Sequence, residues 1–161
     1  MSETRAKSAE ASLGQILDFM SALWSLNHGL GSLSKRMDVR LGVTGPQRLV
    51  VRIVGHFSEV SAGRLASILR VHPSTLTGVL RRLVQRRVLR RRADPADARR
   101  ALFSLTPLGR SLDRLRAGTV EAVISRALRR FRPAETAVAE RVLASLARAL
   151  EREVAGARRR R

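Results

Sequence analysis

The sequence predicts a mainly α-helical fold with one small β-hairpin. Three observations predict it. Apolar residues return at steps of three and four through six separate segments. Most of those segments open on a Ser, Thr or Pro start signal. Only the stretch from Val88 to Thr106 switches to alternation, around the turn-rich Asp94, Pro95, Ala96 and Asp97. With 161 residues and 44% hydrophobic content the chain can bury one core but is short of two, so a single domain over 1–161 is expected.

Residues 1–10 are small and polar and read as a frayed start. From Leu13, the positions Ile16, Leu17, Met20, Leu23, Trp24, Leu30, Leu33 and Met37 give a long amphipathic helix over 11–38. Gly29 and Gly31 each cost about 1 kcal/mol relative to alanine inside a helix, which predicts a bend or a close helix contact there. Gly42 marks a break. Thr44 and Pro46 start a second helix over 45–57, striped by Leu49, Val50, Ile53, Val54 and Phe57.

Ser61 is the N-cap of a short third helix carrying Leu65, Ala66, Ile68 and Leu69. After a turn at Val71 and His72, Pro73 opens the fourth. Its buried face is Leu76, Val79, Leu80, Leu83 and Val84, at i, i+3, i+4, i+7 and i+8. The opposite face is Ser74, Thr75, Thr77, Gly78, Arg81, Arg82, Gln85 and Arg86, and two short helices across a tight turn make a helix-turn-helix. Val88 to Arg92 and Arg99 to Thr106 form the hairpin, basic at its tip and apolar at its base, a wing beside the fourth helix.

Thr106 and Pro107 start another helix, with Leu108, Leu112, Leu115, Thr119, Ala122 and Val123 inward. Arg132 and Pro133 start the last, through Val138, Val142, Leu146 and Leu150. The result is a winged helix-turn-helix core (44–106) flanked by N- and C-terminal helices (11–38 and 107–155), with a basic tail at 156–161 in which Arg158 to Arg161 form a disordered charge run.

Of the 32 basic residues only Lys7 and Lys35 are lysines, and 13 acids leave a net charge of +19. Charge speaks to partners rather than fold, and this surplus favours a polyanion, nucleic acid before a membrane surface. Cysteine is absent, which removes disulfides and thiolate metal sites. His28, His56 and His72 have no ligand spacing, so no metal or other cofactor is expected. No apolar run suggests a signal peptide or a membrane span, which makes the cytoplasm the default. A glycine-rich phosphate loop, a nucleophile elbow and clustered carboxylates are all missing, so the chain does not read as an enzyme. Aromatics at 3% give no stacking platform for RNA.

The order of elements resembles the MarR family of bacterial and archaeal regulators over about residues 11–155. Leu41 to Gln47 looks like the family's entry to its second helix, and Leu65, Ala66 and Pro73 to Thr77 look like its helix-turn-helix. The wing Asp94, Pro95, Ala96, Asp97, Ala98 and Arg99, followed by Leu105 to Gly109, is the most specific piece. Ala98 stands where many members have a second wing arginine, with Arg100 close by, and Gly78 stands where a long polar side chain often points into the groove. The resemblance implies a transcriptional regulator, a repressor, acting on double-stranded DNA as a homodimer.

The charge is focused where this motif sits. Residues 61–110 hold twelve arginines against Asp94 and Asp97, a local balance of +10. Arg81 and Arg82 are the candidates for guanine O6 and N7 in the major groove, a pair worth about 1–3 kcal/mol of discrimination. Ser74, Thr75 and Thr77, at the helix N-terminus, suit phosphate or short base contacts. Arg86, Arg91 and Arg100 extend the basic surface. Arg99 at the wing tip suits the minor groove. Asp97 either orients Arg99 by an ion pair or serves the turn through its own backbone.

The terminal helices offer more apolar surface than such a core can cover, and a two-fold dimer would cover it. Its two recognition helices would lie about 34–36 Å apart and read an inverted repeat. The resemblance further implies a small aromatic or anionic effector in a cleft between the dimer helices and the winged module. Trp24, Asn27, His28, Arg48, Arg52 and His56 lie on helices that would border it. The alternative reading is an architectural protein that coats DNA without reading it, which the charge alone would suit.

Overall fold

The computed structural model describes residues 14–159; Leu13 and the rest of the first thirteen residues, with Arg160 and Arg161, lie outside them. The described residues fall into two compact units, one ending at Val120 and the other beginning at Glu121. In the first, α1 (Gln15–Leu41) and α2 (Gly45–Phe57) precede β1 (Glu59–Ser61), α3 (Ala62–Leu69), α4 (Pro73–Gln85), β2 (Leu89–Asp94), β3 (Asp97–Leu105) and α5 (Pro107–Arg114). Then α6 (Val120–Leu128) leads into the second unit, which ends with α7 (Pro133–Arg159).

Capping chemistry explains where the helices begin. Thr44 accepts the Gln47 amide and Gln47 returns a carbonyl to the Thr44 amide, closing a capping box behind Pro46. Ser61 accepts from the Arg64 amide, and Thr106 accepts from the Gly109 amide at 3.1 Å while donating to the Arg87 carbonyl at 2.6 Å. The core gathers Val50, Val51 and Val54 of α2, Leu65 of α3, Leu76, Leu80 and Leu83 of α4, Val88 just before β2, and Leu89 and Phe103 of the sheet. Burying that set from three helices and a sheet fixes the winged module as one piece.

Four expectations need correction. First, the sheet has three strands in the order β1-β3-β2, all antiparallel, where a two-stranded hairpin was expected. Glu59 pairs with Ser104, Val60 with Phe103 and Ser61 with Leu102. Three residues are too few to show a period of two, so β1 is set by its tertiary pairing.

Second, the helix after Pro107 is broken rather than continuous. Leu115 is extended (φ −61, ψ 138) and Gly118 is left-handed (φ 72), a conformation open to glycine at no steric cost. Leu108, Leu115 and Val123, expected inward, are exposed, whereas Thr119 is buried. Third, α1 runs unbroken through Gly29 and Gly31, and nothing in the described chain lies within 4 Å of a Cβ built on either glycine. Fourth, α7 continues through Arg159, past the point where the basic tail was expected, because alanine and arginine are strong helix formers.

Gly109 is buried where α5 meets the sheet, and a Cβ there would sit 2.3 Å from the Val88 carbonyl oxygen. The Val88 carbonyl is backbone and cannot yield as a side chain can, and the Leu105 side chain closes the site at 3.2 Å. Gly109→Ala is therefore expected to destabilise the winged module by about 2–3 kcal/mol, read as a lowered midpoint in urea at unchanged slope. A midpoint within error of the parent would mean that the module accommodates the methyl group.

Candidate nucleic-acid interface

The N-terminus of α4 is built by His72 and Pro73. The His72 Nδ1 accepts the Ser74 amide at 3.3 Å and lies 2.8 Å from the Ser74 hydroxyl, and proline at the first position loses no bond there. Leu76, Leu80 and Leu83 hold one face in the core. That anchoring leaves Ser74, Thr75, Thr77, Arg81, Arg82 and Gln85 exposed on the other face, as the periodicity predicts. Thr77 donates to the Pro73 carbonyl at 2.9 Å, which fixes its rotamer and leaves its oxygen free to accept. A Cβ on Gly78 would meet only the Arg82 guanidinium, at 3.9 Å, so the middle of this face is bare.

Beside α4 stands the wing. The Asp94 carboxylate accepts the Ala96 amide and the Asp97 carboxylate accepts the Arg99 amide, both at 3.0 Å, so two Asx turns shape the tip. Of the two roles considered for Asp97, the structure has the turn: it holds Arg99 by its backbone. Arg91, Arg99 and Arg100 are exposed, and among the described residues their guanidiniums, with those of Arg81 and Arg82, make no ion pair. A run of arginines with no internal partner is a surface prepared for an external anion.

Two other arginines on this side are already engaged. Arg86 reaches the Gly42 carbonyl and lies 3.3 Å from the Asp38 carboxylate, so it ties the end of α4 to the end of α1 while its side chain stays half exposed. Arg92 forks onto Glu59 across β3, at 2.5 and 2.7 Å. The hydrogen bonds from Arg92 hold the Glu59 carboxyl below its ordinary range, and Glu59 in turn raises Arg92, so the pair stays charged throughout the neutral range. Sequence reasoning missed this brace, because residues 59 and 92 meet only through the strand register.

The six residues expected along a ligand cleft have different settings in the single chain. Trp24, Asn27 and His28 are exposed on α1. Arg48 is 1% exposed, and its guanidinium donates to the carbonyls of Leu112, Asp113 (3.4 Å) and Leu115 (2.6 Å) at the end of α5. Arg52 pairs with the Asp113 carboxylate at 2.6 Å. His56 packs edge-on against Phe57, whose ring also carries the Arg64 guanidinium at 4.5 Å. Both cations expected to meet a ligand thus fasten α2 to α5. Among the described residues no three histidines or carboxylates lie close enough to hold a metal ion.

Residues 41–100, from the end of α1 to the wing, match the model of the MarR family. Among solved structures the chain is similar to a MepR-like protein complexed with pseudoligands, at 22% identity over 85% of this chain and 97% of that one, with a TM-score of 0.69. It is similar to a probable transcriptional regulator from Pseudomonas aeruginosa, at 27% identity over 78% and 93%, with a TM-score of 0.60. A mutant MarR from E. coli complexed with operator DNA is similar at 23% identity over 81% and 94%, with a TM-score of 0.64. No curated protein matches the chain.

Proposed function

We propose that this chain, which matches the MarR family model over its winged-helix module, is a homodimeric member of that family, a regulator of transcription that reads an inverted repeat in double-stranded DNA and represses the adjoining genes. The observation that carries the reading is the exposed face of α4. Hydroxyls at its N-terminal turn are followed about two turns later by Arg81 and Arg82, which have no partner within the described chain. An α-helix enters the major groove, and a guanidinium there can bond guanine bidentately. Ser74 and Thr75 suit the phosphates that set register, and Arg99, at the tip beside the two Asx turns, suits the narrow minor groove.

Dimerisation is supported by what the terminal helices leave uncovered. In 27 residues α1 buries only Met37, and Ile16 and Trp24 are 75% and 70% exposed. Within the second unit no described side chain is buried, although Val138, Val142, Leu143, Leu150 and Val154 recur along α7. Apolar stripes of that length need a partner surface.

The test is the ratio of operator to random-DNA affinity for Arg81→Ala, Arg82→Ala and the double variant. The double variant is expected to lose about 1–3 kcal/mol on the operator and much less on random duplex. Equal losses on both targets in all three proteins would replace the reading with an architectural coat, in which every arginine is only a phosphate contact.

A further inference from the structure

One arginine crosses the joint between α1 and the winged module. The joint is Gly42, left-handed at φ 70, whose N–H closes α1 on the Asp38 carbonyl at 2.8 Å. Before the joint α1 is an unbroken helix of 27 residues, a rod of about 40 Å. Its N-terminal half carries Ile16, Met20 and Trp24, which nothing in the described chain covers, whereas its C-terminal half buries Met37. The uncovered apolar stripe and the winged module therefore hang on opposite ends of one stiff element.

Two side chains brace the joint. Ser34 accepts the Gly45 amide at 2.7 Å, which seats the start of α2 against α1. Arg86 comes from the far side of the module. It is the C-cap of α4, and one terminal nitrogen of its guanidinium reaches both the Gly42 carbonyl and, at 3.3 Å, the Asp38 carboxylate. The helix that carries Arg81 and Arg82 thus grips the last turn of α1 and the joint together.

Leu76, Leu80 and Leu83 fix α4 within the module. The angle of the module on α1 is a separate quantity, because the chain passes from α1 to α2 through a glycine, the residue with the widest backbone freedom. Arg86 and Asp38 are 50% and 40% exposed, and ion pairs in such settings add little to folding stability. What the contact does supply is direction, since two acceptors on one nitrogen fix the plane of the guanidinium.

We propose that Arg86 and Asp38 form a clasp that sets the angle of the winged module on α1, and with it the separation and twist of the two α4 helices in a dimer. Arg86 is then a positioning residue for half-site spacing. This inference rests on the dimeric reading above. In a two-fold dimer joined through α1, a tilt at the joint is made twice and moves both α4 helices relative to the axis. One base pair of spacer shifts a half-site by about 3.4 Å and turns it by roughly 35°, so a small tilt is read as a changed preference for spacing.

The full-length protein is used to select an inverted repeat from a pool of random duplexes. Affinity is then measured on that repeat, on versions one base pair longer and shorter at the centre, and on a single half-site. The parent should favour its own spacing by about tenfold or more. Arg86→Gln should cut that preference about fivefold. Asp38→Asn should cut it about two- to threefold, since the Gly42 contact survives. Asp38→Asn removes a negative charge, so its half-site affinity should not fall, and its lost spacing preference cannot come from a lost phosphate contact. Both positions are half exposed, so both variants should melt within two or three degrees of the parent. If Arg86→Gln weakens every duplex alike, with a salt slope lower by about one per subunit, and Asp38→Asn keeps the spacing preference, Arg86 is a phosphate contact and the clasp is overturned. An unchanged preference in both variants overturns it too. A parent that selects an inverted repeat but tolerates every spacing removes the clasp alone, whereas a parent that selects no repeat removes the dimeric reading and the clasp with it.

Discussion

Arg48→Met is expected to destabilise the protein by about 3 kcal/mol, more than any substitution on the exposed α4 face. The side chain is 1% exposed and is held by three carbonyls in the segment 112–115, where α5 ends. Helix ends leave carbonyls without partners, and here a guanidinium from another helix supplies the donors. Methionine fills a similar volume but donates nothing. The loss is then that of charge-assisted bonds plus the desolvation of the carbonyls left behind, at about 1–3 kcal/mol for each orphaned group and less than additive. In a chain of this length about 3 kcal/mol is a fall in Tm of roughly 10 °C. Arg48→Lys should recover only part of it, since one ammonium cannot span carbonyls that the planar fork bridges. A Tm within two or three degrees of the parent for Arg48→Met would show that water replaces the guanidinium.

The same residue shows where reading the sequence succeeds and where it stops. Helix periodicity placed Leu76, Leu80 and Leu83 inward and so exposed Ser74, Thr75, Thr77, Arg81 and Arg82, and the structure agrees, because a face defined by i, i+3, i+4 and i+7 depends only on local geometry. Start signals at Thr44, Ser61, Pro73 and Thr106 were legible for the same reason. What an arginine does once its helix is packed was not legible. Arg48, Arg52 and Arg86 all lie on helices whose positions were read correctly. Yet the first two close on α5 and the third on the end of α1, more than forty residues away in sequence. Thirty arginines look alike on a string, and tertiary contact decides which are braces and which are free. The break between α5 and α6 escaped likewise: apolar spacing continues through Leu115 and Thr119, whereas the backbone turns at Gly118.

Met20→Glu with Trp24→Glu is expected to dissociate the proposed dimer. Both residues lie on the uncovered stripe of α1, one helical turn apart, and both are exposed in the single chain. In a monomer the two carboxylates would be solvated on a helix face and cost little. In a two-fold interface each change is made twice, so four carboxylates would lose water with no cation specified to receive them. Truncated ion pairs and unpaired buried charges cost several kcal/mol each, and even about 6 kcal/mol in total raises a dissociation constant by more than ten-thousandfold. Sedimentation equilibrium should show a parent dimer and a variant monomer at micromolar concentration. Circular dichroism should show the helices of the winged module retained, since its core draws nothing from positions 20 and 24. Operator affinity should fall with the dimer, because one α4 then engages one half-site and the second no longer comes with it. A parent protein that is monomeric at these concentrations, or a variant that remains dimeric with full operator affinity, would place the interface elsewhere than the α1 stripe.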